Sequence, residues 1–172
     1  MAFSTSAFYN ADPSTIGMQP FAETSTTQRH GLGHIVRGKS ADYGWGEFIY
    51  LLGVANTVVG SVVSYNATTW QTTLLPNTAN LNTPIAVAMS ANVASQYGWY
   101  QIGGLAIVKK TAVPVTPQVA VYISGTAGRI KSTAASGKQI VNAKTANLTT
   151  VASGTSTVTV LLQRPHAQGA VS

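Results

Sequence analysis

Apolar and polar residues alternate over short runs through most of this chain, and turn-forming residues separate one run from the next. Phe48 and Tyr50 take alternate positions in a run that ends at Gly53, and Pro165 is expected to stop a strand over 158–162. Alternation with a period of two residues indicates strands. Short strands with turns at regular spacing predict an all-β fold, a compact β-barrel or jelly-roll-like sandwich.

Two stretches are less regular. Residues 85–97 contain alanines that permit a helix and branched residues that permit strands, and we expect two short strands there. Gly103 and Gly104 interrupt an apolar run, so we expect one strand over 99–102 and another over 105–108. No period of 20 to 50 residues repeats along the chain, which argues against a solenoid or a propeller.

The chain divides into three regions by pattern. Residues 1–40 are rich in Ser, Thr, Gly, Pro and Gln and show no period, which predicts an extended N-terminal arm. Residues 41–165 form the β-barrel or sandwich body, and residues 166–172 are expected to be a flexible tail. The arm has too few apolar residues for a core of its own, so an ordered arm would bind the body or a neighbouring subunit.

Charge is scarce and unevenly distributed. Of the 172 residues, 45% are hydrophobic but only 8% are charged, and the formal net charge is +6. All four acidic residues precede Phe48, whereas the remainder of the chain has seven basic residues and no acid. A basic body without carboxylates is expected to be attracted to an acidic partner, whether nucleic acid, anionic lipid or protein.

The sequence offers little for catalysis or metal binding. Paired carboxylates would have to come from Asp12, Glu23, Asp42 and Glu47, which lie in the arm or at its junction with the body. The chain has no cysteine, and the glycines between His30 and His34 disfavour the helix that would align two metal ligands. We therefore expect no enzyme activity, no cofactor and no metal site.

Neither export nor membrane insertion is indicated. The first six residues lack the basic start and apolar run of a secretory signal. No stretch approaches the roughly 20 apolar residues that a membrane-spanning helix needs. Synthesis in the cytoplasm and no membrane partner are the expectations.

Four stretches between residues 42 and 165 carry a resemblance to a known family. They resemble the small β-rich virion proteins of tailed bacteriophages that decorate, or cement, the capsid shell. The matching features are an Ala-Val-Ala strand at 86–88, Gln-Tyr-Gly-Trp-Tyr-Gln at 96–101, a Gly-Arg-Ile turn at 128–130, and a terminal strand with alternating valines that ends in proline at 158–165.

The resemblance implies a structural protein of the virion surface. Such a protein is made in the host cytoplasm, is commonly a homotrimer, and stabilises the capsid by bridging adjacent major capsid proteins. Its partners would be the major capsid protein and copies of itself, and nucleic acid is not an expected partner. On this hypothesis the polar anchors of the interface are Arg29, Arg37, Lys39, Lys109, Lys110, Arg129 and Lys131, and the apolar anchors are Phe3, Phe8 and Phe21.

Two alternatives stay open at this point. A receptor-binding or carbohydrate-binding head fibre would stack sugars on Trp45, Trp70 and Trp99, and a patch of exposed aromatic residues would favour it. A binder of single-stranded nucleic acid would be favoured by salt-dependent binding, although the basic residues are not interleaved with the aromatic ones.

Overall fold

The computed structural model describes residues 8–10, 18–40 and 43–170, and within them every regular element is a β-strand. The predicted all-β class is therefore confirmed. The twelve strands are β1 (Phe8–Asn10), β2 (Thr24–Ser25), β3 (Ile35–Ser40), β4 (Gly44–Leu52), β5 (Val62–Tyr65), β6 (Thr72–Leu74), β7 (Ile85–Ala88), β8 (Tyr97–Lys109), β9 (Ala120–Ile123), β10 (Ile130–Lys131), β11 (Gln139–Thr145) and β12 (Thr157–Ala167).

The strands form one curled antiparallel sheet in the shape of a half-barrel. Its main path runs β1-β3-β4-β8-β12-β11-β9-β10. Three further strands branch from this path, because β7 pairs with β8 and β5, and β5 pairs with β6. Strand β2 also pairs with β8, so β8 is the strand around which the fold is organised.

Strand β8 runs without a break through Gly103 and Gly104, so the predicted division into two strands is wrong. At Gly104, φ is +86°, and a Cβ atom would collide with the carbonyl oxygen of Trp45 on β4. Nearby, a β-bulge shifts the register, since Glu47 pairs with Gly103 but Phe48 pairs with Gln101. The glycines permit close approach of two backbones rather than ending the strand.

Before β8 begins at Tyr97, the segment 85–97 contains one strand, β7, rather than the two that were predicted. It is buried along its whole length because it has a hydrophobic cluster on each side. Val87 belongs to one cluster, whereas Ala86 and Ala88 belong to the other. A continuous apolar run is typical of a strand covered on both faces, which explains the ambiguous period of this stretch.

The described part of the predicted arm is integrated into the sheet. Strand β3 pairs with β4 over its full length, from Ile35 opposite Ile49 to Ser40 opposite Gly44. The preceding segment, residues 18–34, packs on the face of β4 and β8 that carries Phe48 and Trp99. The described part of the predicted arm therefore contacts the body of its own chain.

Strand β12 continues past Pro165 to Ala167, which corrects the predicted stop at that proline. The register between β11 and β12 shifts here, since Ala143 pairs with Leu162 but Val141 pairs with His166. A proline is tolerated at such a bulge because no ladder hydrogen bond needs its missing N–H. The tail that was predicted to be flexible therefore begins as strand, and residues 171–172 lie outside the described part.

Candidate binding surface

The central strands of the sheet have one buried face and one open face. On β8, Ala106 and Val108 are buried while Leu105 and Ile107 are half-buried, and β12 shows the same alternation over 157–162. Directly opposed residues of antiparallel strands share a face, so the register places the open side of β8 and β12 on one continuous surface.

This surface extends across five strands, and we call it the outer face. Arg37, Glu47, Gly103 and Gln163 form one row across β3, β4, β8 and β12. Other direct pairs extend the surface on both sides of that row. The outer face comprises Arg37, Lys39, Trp45, Glu47, Gly103, Leu105, Ile107, Lys109, Lys144, Thr157, Thr159, Leu161 and Gln163.

Cations dominate the outer face. Arg37, Lys39, Lys109 and Lys144 lie on it, and Arg164 adjoins it at the β12 bulge. Within the described residues, Glu47 is the carboxylate that faces them. The surface therefore carries an excess of positive charge beside the half-buried apolar side chains of β8 and β12.

Glu47 is held between two arginines. Its Oε1 accepts hydrogen bonds from Nε (3.2 Å) and Nη2 (3.1 Å) of Arg37, and its Oε2 accepts one from Nε of Arg164 (3.0 Å). The hydrogen bond from Arg164, followed by that from Arg37, lowers the pKa of the Glu47 carboxyl below its usual value despite partial burial. The carboxylate is thus ionised and engaged by two cations at neutral pH.

Gly103 makes this bridge possible. A Cβ atom at Gly103 would lie 3.1 Å from the Cβ and 3.3 Å from the Oε2 of Glu47, so the glutamate side chain passes closely over the glycine. On the far side, Arg164 has a left-handed backbone with φ of 51° at the β12 bulge. Glu47 and Arg164 are 117 positions apart in the sequence. They come into contact because Glu47 packs tightly over a glycine and because β12 bulges at Arg164.

A groove of about 450 Å³ opens beside this bridge. Trp45 forms one wall with 56% of its surface exposed, and the Nζ of Lys39 lies 6.0 Å from the centre of its ring. The side chains of Arg37 and Arg164 are 73% and 64% exposed. The groove is lined by Arg37, Trp45, Gly46, Glu47, Gly103, Gly104, Leu162 and Gln163, and Arg164 lines an adjoining cavity.

The structure brings some of the predicted interface residues together and separates others. Arg37 and Lys39 lie at the groove, and Lys109 lies on the outer face about 20 Å away along β8. Arg29 is exposed, and it belongs to the segment 18–34 that packs on the face of Phe48 and Trp99. The remaining positions divide as follows: Arg129 and Lys131 are half-buried near β10, Phe8 begins β1 with its side chain outside the described part, and Phe3 lies outside the described residues.

Lys110 is buried, with 1% of its surface exposed, so its predicted place at a partner interface is wrong. Its Nζ lies within hydrogen-bond distance of four carbonyl oxygens, those of Thr111 (3.3 Å), Val113 (2.9 Å), Ala152 (3.0 Å) and Ser153 (3.5 Å). Burial lowers the pKa of the ammonium group. The residue joins two loops inside the protein instead of contacting a partner.

Phe21 is also buried, with 5% exposure, and its predicted role as a partner anchor is corrected in the same way. Its ring centre lies 4.0 Å from that of Phe48 and 5.8 Å from that of Trp99. The phenylalanine anchors residues 18–34 to the body of its own chain. A partner cannot use a side chain that is already covered by the fold.

Two residues of the surface, Glu47 and Arg164, were missed as interface residues in the sequence. Nothing local marks Arg164, because its position next to Glu47 depends on the register of β12, β8 and β4. Trp45 was considered for stacking on sugars or bases and not as an anchor for a protein partner. The sequence did contain a signal, because Trp45 and Glu47 lie just before a run of apolar residues. This order indicates a strand that begins exposed, and β4 is indeed exposed at Gly44 and Trp45 before it becomes buried.

The aromatic side chains that the structure describes do not form one exposed patch. Trp99 and Tyr100 are fully buried, and Trp70 is half-buried and stacked on Tyr65 at 6.3 Å. Of the three tryptophans, Trp45 alone is largely exposed. A stacking platform for several sugar rings or bases would need more than one such side chain.

The two histidines of the N-terminal region contact Trp99. Their ring centres lie 5.3 Å (His30) and 6.3 Å (His34) from that of the tryptophan. Among the described residues, no three His, Cys, Asp or Glu side chains lie together as metal ligands would. The same part of the chain contains no helix of the length and apolar character that crossing a membrane requires.

Comparison with known proteins identifies no relative of this chain. No family model, no curated protein and no solved structure matches it. The outer face, its charges and its exposed tryptophan are the observations from which a function can be proposed.

Proposed function

We propose that this chain is a structural protein without catalytic activity that binds an acidic protein surface through its outer face. Following the resemblance in its sequence, the partner surface is the capsid shell of a tailed bacteriophage, and the chain stabilises it by bridging adjacent major capsid proteins. The observation that carries the proposal is an open sheet face that combines cations with exposed and half-buried apolar side chains.

The composition of this face is that of an interface. Trp and Arg are enriched among the residues that contribute most to protein binding, and Trp45 lies beside Arg37 in the groove. Leu105, Ile107 and Leu161 add apolar area that a partner could cover. The rest of the outer face is Thr, Gln and Lys, which suits the polar rim of an interface.

The charge of the face favours an acidic partner. Among the described residues, cations surround Glu47 on the outer face, and its carboxylate already has two arginine partners. A complementary acidic surface would be attracted over long range, so its association should be faster at low salt. The low total charge of the chain limits the desolvation cost of covering the remaining surface.

The arrangement of Glu47 supports a role without catalysis. A general base or acid needs a pKa near the working pH, whereas the two arginines lower the pKa of Glu47 below its usual value. The Nε2 of His30 is not free to act as a base either, because it accepts a hydrogen bond from the backbone N–H of Gln19 at 3.1 Å.

The first experiment measures the mass of the purified chain by light scattering and then its co-sedimentation with empty phage shells at increasing salt. We expect a homotrimer that binds shells, with binding that weakens as salt rises. Leu161→Asp places a like-charged group against an acidic shell and should abolish binding. Val59→Asp adds the same charge at an exposed apolar residue outside the outer face and is the matched control.

If Leu161→Asp fails to fold, Lys144→Glu reverses an exposed charge of the same face and should weaken shell binding. A wild-type chain that does not sediment with shells would overturn the proposal. Equal binding by wild type, Lys144→Glu and Val59→Asp would show that the outer face is not the contact surface. Binding to glycans without binding to shells would instead favour a receptor-binding protein.

A further inference from the structure

The two arginines that bind Glu47 use only part of their hydrogen-bonding capacity on it. Arg37 directs Nε and Nη2 to one oxygen, and Arg164 uses Nε alone. Of the hydrogen bonds between described residues, none is donated by Nη1 of Arg37 or by the terminal nitrogens of Arg164. A guanidinium group has five N–H donors, so unused donors remain on side chains that are mostly exposed.

We infer that the groove beside Trp45 binds a carboxylate side chain, Asp or Glu, of an acidic protein partner. The inference rests on the proposed function and identifies the chemistry that the outer face recognises. The carboxylate pairs with the free edge of Arg37, Lys39 adds positive charge, and the indole of Trp45 covers the apolar stem of the partner's side chain.

The groups at the groove favour a carboxylate over a sugar. Apart from Glu47 and the amide of Gln163, the polar side chains at the groove are those of Arg37, Lys39 and Trp45, which are donors without acceptor capacity. Both oxygens of Glu47 already accept hydrogen bonds from arginines. Sugar hydroxyl groups need donors and acceptors together, whereas a carboxylate needs donors only.

The surroundings of the groove favour a protein over a polyphosphate chain. A nucleic-acid site follows the backbone with closely placed cations and aromatic residues. Here Leu105, Ile107 and Leu161 separate the cations of the groove from Lys109 and Lys144. A protein partner can cover these apolar residues and reach the groove with one acidic side chain, which a phosphate backbone cannot do.

Glu47 acts in this site as an internal counter-ion that positions the arginines. It holds Arg37 in place through two hydrogen bonds but also neutralises part of the positive charge that attracts the partner. Glu47→Gln keeps a side-chain oxygen for Arg37 and removes the negative charge. The variant should therefore bind a carboxylate more tightly than the wild type.

The test titrates the full chain with a capped tetraglutamate peptide and follows the three tryptophan indole signals by ¹H–¹⁵N NMR. We expect the Trp45 signal, assigned from Trp45→Phe, to shift while those of Trp70 and Trp99 stay in place. Arg37→Gln should weaken binding roughly tenfold, and Glu47→Gln should strengthen it several-fold. Lys144→Gln removes one charge of the same face outside the groove and should change affinity by less than about twofold.

The inference is overturned if tetraglutamate leaves the Trp45 signal unmoved, or if Lys144→Gln weakens binding as much as Arg37→Gln. It is also overturned if glucuronate or inorganic phosphate binds as tightly as the peptide, since the site would then recognise a sugar acid or a phosphate. Loss of peptide binding in Arg37→Gln with unchanged shell binding would leave the proposed function standing without the groove. Binding of the peptide without binding of shells would leave the groove inference standing and overturn the proposed function.

Discussion

At the scale of single residues, glycines leave the space that neighbouring charged side chains occupy. Gly103 leaves the space through which Glu47 reaches Arg164, and Gly104 lets the backbone of β4 approach β8 at Trp45. From the sequence alone, this pair of glycines predicts a break in the strand. The chemistry of the groove therefore depends on two residues that carry no side chain.

Gly104→Ala tests this role. The residue has φ of +86°, and an added Cβ would collide with the Trp45 carbonyl oxygen, so we expect a loss of about 1 to 3 kcal/mol in the free energy of unfolding. The measurement is urea denaturation. Gly125→Ala is the control, because nothing lies within 4 Å of its added Cβ, and it should change stability by less than about 0.5 kcal/mol. Equal effects of the two substitutions would contradict the close-approach explanation.

At the scale of elements, the segment 18–34 is fastened to the sheet by a buried glutamine. The Nε2 of Gln19 donates to the carbonyl oxygens of Glu23 (2.8 Å) and Tyr97 (3.1 Å), and its Oε1 accepts from the hydroxyl of Tyr50 (2.8 Å). The indole of Trp99 donates to the Gln19 carbonyl at 2.9 Å. Together these hydrogen bonds join the segment to β4 and β8.

Gln19→Ala should weaken the attachment of residues 18–34 to the sheet. It leaves buried groups of Tyr50 and Tyr97 without their partner, which we expect to cost about 1 to 3 kcal/mol of unfolding free energy. Gln28→Ala, at an exposed residue with one local hydrogen bond to the His30 carbonyl, is the matched control. Hydrogen exchange should show faster exchange in residues 18–34 of Gln19→Ala. Unchanged exchange there would contradict the role of Gln19.

The same segment should respond to pH through His30. Partial burial, then His34 and Arg29, lower the pKa of His30 in the folded chain below its unfolded value of about 6.5. At a pH between the folded and the unfolded pKa, His30 is protonated in the unfolded chain but not in the folded one, and protonation therefore favours unfolding. The contribution of neutral His30 to stability is complete above pH 6.5 and is lost as pH falls toward the folded pKa. Urea midpoints at pH 7.5 and 5.5 should differ more for wild type than for His30→Gln. An identical difference in both proteins would exclude His30 as the cause.

How far the sequence predicts these elements depends on whether their signal is local. The alternation around β4 and β12 is local, so the sequence predicts β4 and the beginning of β12 close to where they lie, but not the end of β12. The pairing of β2 and β3 with the body is not local, since the arm has no period of its own and gains its structure from strands that follow it. The arm therefore looked separate in the sequence although its described part belongs to the sheet.

At the scale of the whole molecule, the scarcity of carboxylates limits how acid can unfold the chain. Acid unfolding acts chiefly through carboxylates with lowered pKa values, and the sequence contains only four Asp and Glu residues. Glu47 is one whose pKa the two arginines lower. Its contribution to stability is present above its unfolded pKa, near 4.3, and is lost as pH falls through the lower folded value.

We therefore expect the wild type to lose stability between pH 5 and pH 3, and Glu47→Gln to lose less over the same interval. Chemical denaturation at several pH values in constant salt measures this difference. Glu23→Gln, at an exposed residue that lies outside the groove, is the control and should follow the wild type. Parallel curves for wild type and Glu47→Gln would show that the arginine bridge contributes nothing to acid stability.

The all-β class and the basic, carboxylate-poor character of the body follow from the sequence alone, because alternation relates neighbouring residues and composition needs no structure. Which cations are exposed depends on the tertiary structure. Lys110 became internal and Arg164 reached Glu47 across 117 positions, since both outcomes depend on the register between distant strands. Register is set by pairing and packing over the whole sheet, and no short stretch of the chain contains that information.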